Sequence, residues 1–159
     1  MKVWVAVLAL VSTGATPIAV RANDCKPIAD ALAKTAIVPN HTLAVSRSLG
    51  KLEGVHTQNA YYAVFQGVWK QLPYDDAEQA ARKIAAFQGK KADCALRGTE
   101  TIDGRPVQHF AATEHLKGGD AVEEYWIAID GGQLLKSSTK FPGDEVTTSY
   151  DYADIKAPM

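Results

Sequence analysis

Residues 94–155 read CALRGTETIDGRPVQHFAATEHLKGGDAVEEYWIAIDGGQLLKSSTKFPGDEVTTSYDYADI, and this stretch decides the fold class. It breaks into five β-like runs at 94–102, 105–116, 122–130, 133–140 and 145–155. Asp103-Gly104, Gly118-Gly119-Asp120, Asp130-Gly131-Gly132 and Pro142-Gly143-Asp144 separate them. Tight turns select these residue types, because Gly tolerates positive φ and Pro presets the first turn position. Connections this short force neighbouring strands to run antiparallel, since a parallel return takes a dozen residues or more. Tyr125, Ile127 and Ile129 share one side of their strand and Trp126 and Ala128 the other, so both sides ask for cover. In the last run Val146, Thr148, Tyr150 and Tyr152 alternate with Thr147, Ser149, Asp151 and Ala153, one side aromatic and one polar.

Upstream, two helices bracket shorter strands. Asp24 is placed to cap a helix over 24–36, with Ile28, Leu32 and Ala36 on one face and Pro39 at its end. Asp75-Asp76-Ala77-Glu78 resembles a capping box; Ala77, Ala80, Ala81, Ile84 and Phe87 follow at helical spacing, and Gly89 marks a C-cap. That apolar face is expected to pack on a sheet, opposite a solvated face with Glu78, Arg82 and Lys83. Between the helices lie β-like runs at 41–49, 55–58, 61–66 and 68–71, punctuated by Gly50, Gly54, Asn59 and Gln66-Gly67. The expected order is helix, four short strands, helix, five-strand meander: an α+β domain.

The first residues read as an export signal. Met1-Lys2 is a minimal positive start, VWVAVLALV over 3–11 is an apolar core too short to span a bilayer, and Val20-Arg21-Ala22 offers a cleavage site. Residues 1–22 are therefore expected to be a cleaved signal peptide. Residues 23–159 then form a single periplasmic domain with no membrane span after processing. An oxidising compartment turns the two cysteines, Cys25 and Cys94, into one disulfide; neither has a C-x-x-C partner or a nearby His. The whole chain of 159 residues carries 17 Lys and Arg against 18 Asp and Glu, which excludes a strongly basic nucleic-acid binder. Processing removes Lys2 and Arg21 and no acid, so the mature domain is mildly acidic.

A pattern of aromatics and turns runs through the chain. Hairpins end in Tyr61-Tyr62-Ala63-Val64-Phe65-Gln66-Gly67-Val68-Trp69, and a second helix precedes Cys94. Tyr125-Trp126-Ile127-Ala128 turns through Gly131-Gly132 into Leu134-Leu135-Lys136, and the chain closes on Ser149-Tyr150-Asp151-Tyr152-Ala153-Asp154-Ile155. Over most of residues 24–158 this resembles the LolA/LolB/LppX-like superfamily of periplasmic lipoprotein carriers and their relatives. The resemblance implies a strongly curved antiparallel sheet, an unclosed half-barrel, whose concave apolar face is covered by two helices. In carriers of that family the face holds the acyl chains of a lipoprotein. An apolar or lipid ligand is the partner so implied.

Chemistry is sparse. No G-x-S-x-G, H-E-x-x-H, Walker glycine loop or G-x-G-x-x-G occurs, so no catalytic residue, metal site or cofactor is assigned. His109 and His115 share a strand face about 20 Å apart in rise, too far for one ion. His41 and His56 approach each other if the first hairpin pairs them, and Glu114 and Glu124 lie opposite if the 105–116 and 122–130 runs pair in that register. The remaining signal is aromatic. If the aromatics on strands outsize what two Ala-rich helices cover, an apolar hollow results, and Tyr62, Phe65, Trp69, Ile84, Phe87 and Trp126 are expected to line it. Two other functions compete with such a binding protein. One is an envelope module with a filled core that docks a protein partner through a sheet edge; the other is a small hydrolase assembled from scattered residues.

Overall fold

A computed structural model of the protein describes residues 24–58, 60–89 and 92–158. The expected signal peptide lies outside the described residues. Helix α1 (Lys26–Ile37) is followed by β1 (Asn40–Ser46), β2 (Gly50–Thr57), β3 (Ala60–Phe65) and β4 (Val68–Leu72). Helix α2 (Asp76–Gly89) then leads to β5 (Ala92–Ile102), β6 (Arg105–Leu116), β7 (Gly119–Ala128), β8 (Leu134–Phe141) and β9 (Asp144–Asp151). The expected element order is thus observed.

All nine strands join one antiparallel sheet in the order β4-β3-β2-β1-β9-β8-β7-β6-β5. It is strongly curved and unclosed, with β4 and β5 as its free edges. The pairing of β1 with β9 fuses the two meanders, setting Thr42 opposite Tyr150 and Ala44 opposite Thr148.

Local chemistry explains the helix ends. Pro27 opens α1, where its missing N–H is no loss, and the Asp24 carboxylate accepts the Lys26 N–H at 3.0 Å. The N-cap position itself belongs to Cys25, one residue after the expected cap. Asn40 closes the other end by donating to the Thr35 and Val38 carbonyls at 2.8 and 2.7 Å. For α2, the Asp75 carboxylate accepts the Glu78 N–H at 2.8 Å, as the D-x-x-E pattern predicts. Cys25 and Cys94 form a disulfide with their Cα atoms 5.2 Å apart, tying the start of α1 to the edge strand β5.

Two expectations need correction. Gly50 ends the β1–β2 turn with φ 73° as expected of punctuation, but Gly54 lies inside β2, which starts five residues earlier than the 55–58 run. The packed face of α2 also differs. It rests mainly on α1, and Phe87, the buried residue of that helix, reaches the sheet at Tyr125; Ala77 and Ala81 are exposed. Alanines bury too little area to pull the helix down onto strands already occupied by α1.

The core is therefore lopsided. Over β5–β8, Ile28 and Ala31 of α1 pack with Phe87, Phe110, Tyr125, Ile127 and Leu134 into a closed cluster. Over β1–β3, the same face of the sheet carries small residues, and the space above them stays open.

Candidate functional site

The open half contains a cavity of about 600 Å³. Its floor follows from strand periodicity: Thr42 and Ala44 on β1, Gly54 on β2 and Ala63 on β3 are aligned by register on the helix side of the sheet. Leu52 and Phe65 form one wall, Tyr150 and Leu32 another, and Tyr61 and Tyr74 close the end nearest the start of α2. Gln79 and Lys83 of α2 add polar groups to the lining. The size lies within the ordinary range for small-molecule sites, roughly 300–1,000 Å³.

Gly54 shapes the end wall. A Cβ there would lie 2.2 Å from the Tyr61 hydroxyl, so the missing side chain lets the Tyr61 ring lie across the strand. Tyr61 stacks on Tyr74 with ring centroids 5.6 Å apart, and Tyr74 packs on His56 at 4.6 Å. The Tyr74 hydroxyl donates to the Ala36 carbonyl at 3.1 Å. Burial, reinforced by the neighbouring Asp76 and Tyr61, pushes its pKa up to about 12, so it stays neutral.

His56 is buried behind this stack. Its Nδ1 lies 3.2 Å from the Val38 carbonyl oxygen and its Nε2 lies 3.0 Å from Asp76 Oδ1. The first partner is a backbone carbonyl, which only accepts, and the second is a side-chain carboxylate, so each ring nitrogen has a polar partner inside the fold. Both nitrogens are thereby committed to holding β2, the end of α1 and the start of α2 together. Neither is left to take a proton from a substrate.

No protein-family model and no curated protein matches the sequence. Solved structures do. The lipoprotein LppX of Mycobacterium tuberculosis superposes with a TM-score of 0.55 at 13% identity, covering 84% of this chain and 97% of LppX. LprF of Mycobacterium bovis gives 0.54 at 13% identity, with 87% and 99% covered. MucB gives 0.55 at 18% identity, covering 84% of this chain and 60% of MucB. The chain has the LolA/LppX-like fold.

The LolA/LppX-like half-barrel separates the six expected lining residues. Phe65 lines the cavity. Phe87 instead fills the closed cluster, edge-on to Tyr125 with centroids 6.1 Å apart, and Ile84 is half-buried on α2 without joining the lining. Tyr62 pairs with Val55 and Gln71, and Trp69 with Val64, which places both on the outer face of the sheet. Trp126 is also outside. Its ring stacks on His109 at 4.4 Å, lies under the Lys136 ammonium at 4.4 Å, and packs with Val107, Ala128 and Leu135 in a second small cluster. Its indole N–H donates to Glu100 at 3.1 Å, and that bond leads the contacts that hold the Glu100 carboxyl below its usual range.

Register also corrects the polar pairings. His41 faces Val55 while His56 faces Asn40, so the two histidines sit on opposite faces. Glu114 faces Ala121 and Glu124 faces Ala111, three positions out of step and again on opposite faces. His109 and His115 each have their own carboxylates: Glu100 for one, Asp93 and Asp120 for the other. The floor residues carry no aromatic or large apolar side chain and so fall outside the aromatic pattern of the sequence. The usable signal was the reverse, small residues at alternate strand positions (Thr42, Ala44, Gly54, Ala63) beneath two helices that do not reach them.

Proposed function

We propose that this protein is a non-enzymatic periplasmic binding protein that holds an acyl chain or a similar apolar ligand between sheet and helices. The observation that carries the reading is the cavity of about 600 Å³, floored by Thr42, Ala44, Gly54 and Ala63 and walled by Leu52, Phe65 and Tyr150. Removing an aliphatic chain from water yields about 25 cal/mol per Å² of apolar area, and a preformed hollow requires no side chain of the protein to move aside first. In this reading the polar end of an amphiphile lies toward Gln79 and Lys83, which add polar groups to the lining. The predominance of apolar groups in the lining, with the His56 ring nitrogens engaged by Val38 and Asp76, supports binding as the reading. Export through residues 1–22 puts the protein where envelope lipids are available.

Native mass spectrometry of the protein purified from bacterial envelopes, and titration with a fluorescent fatty acid, test this directly. Wild-type protein is expected to carry lipid. An Ala63→Trp variant, whose ring occupies the hollow, loses at least about tenfold in fatty-acid affinity. Trp126→Leu, altered on the other face, retains it. No lipid bound to wild type, or full loading of Ala63→Trp, refutes the assignment.

A further inference from the structure

We propose that the end of the sheet bearing the β1–β2, β3–β4 and β8–β9 turns docks on the surface of an anionic phospholipid bilayer. In the order β4-β3-β2-β1-β9-β8, with every neighbour antiparallel, these three turns leave the sheet at the same end and stand side by side. Each carries a large apolar side chain in water. Leu49 on the first is 70% exposed, Val68 and Phe65 on the second are 60% and 47% exposed, and Phe141 on the third is 51% exposed. Leu116 repeats the pattern on the β6–β7 turn, which leaves at that end as well. Among the described residues, the exposed large apolar side chains found away from this end are Ile37 and Ile129. Apolar residues scattered singly over a surface need no explanation; their collection on consecutive turn tips does.

The tips are held in place. The Asp144 carboxylate accepts the Arg47 N–H at 3.0 Å, the Ser48 N–H at 3.3 Å and the Ser48 hydroxyl, so the β8–β9 turn is pinned to the β1–β2 turn. Leu49 and Phe141 are thus presented together. Cations flank them: Arg47 and Lys51 beside Leu49, and Lys70, whose ammonium lies 5.9 Å from the Phe65 ring centroid; Lys140, beside Phe141, lies 3.6 Å from the Glu124 carboxylate. Two acids stand among them and their carboxylates turn inward, Asp144 onto those turn donors and Glu145 onto the Ser138 hydroxyl at 2.6 Å, while the cations extend from the tips. Apolar tips ringed by long basic side chains match the interfacial layer of a bilayer, where tips reach the acyl boundary and ammonium groups stay among phosphates. Separate protruding tips also suit a surface that deforms around them better than a rigid partner that would need a pocket for each. Leu52, 52% exposed, and Phe65 belong both to this rim and to the cavity wall, so the docked end opens toward the hollow.

Sedimentation with vesicles of phosphatidylethanolamine containing a quarter phosphatidylglycerol tests the proposal. Wild-type protein is expected to sediment, and several-fold less with phosphatidylcholine vesicles or in high salt, because each surface cation contributes roughly fivefold. Leu49→Ser/Val68→Ser/Phe141→Ser changes three tips outside the cavity lining. It is expected to lower vesicle partition at least about tenfold while keeping wild-type fatty-acid loading and thermal midpoint. Leu49→Ser alone, a change at an exposed turn, gives a partial loss. Failure of wild type to bind, equal binding by the triple variant, or tip-dependent dimers in place of vesicle binding overturns the proposal. Vesicle binding is read without added ligand, so it stands or falls separately from the acyl-chain reading.

Discussion

Gly54→Ala sets two opposing effects against each other at the cavity floor. The residue has ordinary extended backbone, so alanine there relieves the entropic penalty of glycine and by itself stabilises by roughly 0.5–1 kcal/mol. Against this, the new Cβ would stand 2.2 Å from the Tyr61 hydroxyl oxygen and 2.8 Å from both Tyr61 Cζ and Thr42 Oγ1. The ring must retreat by more than an ångström, which disrupts its stack on Tyr74 and, behind that, the packing of Tyr74 on His56. Overpacking of this kind costs about 1–3 kcal/mol, so the clash wins and the variant loses about 1–2 kcal/mol net, or some 3–8 °C in thermal midpoint. Urea unfolding of a double-mutant cycle with Tyr61→Ala isolates the cause. Once the ring is gone, a small rotation of Thr42 is all that alanine requires, and Gly54→Ala is expected to reverse sign and stabilise by several tenths of a kcal/mol. Additive effects in the cycle, within about 0.5 kcal/mol, would show that Tyr61 is not why glycine stands inside this strand.

Removing the disulfide with Cys25→Ser/Cys94→Ser opens a loop of 69 positions and is expected to destabilise by about 2–4 kcal/mol, read as a lower urea midpoint. Protection of α1 amides from hydrogen exchange falls with it, since the bridge anchors that helix to the sheet edge; unchanged protection contradicts that role. Asp144 gives a pH signature. Its contact with the Ser48 hydroxyl, followed by the turn N–H groups, lowers its pKa from 3.8 to about 2 against the opposing effect of desolvation. A carboxyl depressed in the folded state stabilises fully above its unfolded value and loses that contribution as pH falls through the folded one. The stability gap between wild type and Asp144→Ala is therefore expected to be constant above about pH 5 and to shrink between pH 4 and pH 2. A gap independent of pH refutes the assignment.

Much of the architecture was legible because it is governed by short-range chemistry. The turns at Asp103-Gly104 and Pro142-Gly143, the capped start at Asp75 and the alternation of Tyr125 with Trp126 each read correctly within a few residues of chain. The candidate site was far less legible. Alternation shows that Tyr125 and Trp126 point to opposite faces but not which face a helix covers, and so Trp126 was assigned to the wrong side. Phe87 was placed on the correct helix face, yet whether that face meets open space or Tyr125 depends on how α1 and α2 share the sheet. Gly54 read as punctuation because a missing side chain looks alike whether it serves a turn or makes room for a tyrosine ring.

Sequence alone determined the strand and helix order, the antiparallel sense of each hairpin, the pairing of the two cysteines and the apolar alternation, since each follows from neighbours within reach along the chain or from there being a single partner. Tertiary structure decided the rest. The β1–β9 pairing joins residues about a hundred positions apart, and it alone brings Thr148 and Tyr150 beside Ala44 and Thr42. The placement of α1 over β7 and β8, with α2 resting on α1, then decides which half of the sheet is filled and which is hollow. Such long-range choices are made by total burial summed over the whole molecule, a quantity that no local window of sequence contains.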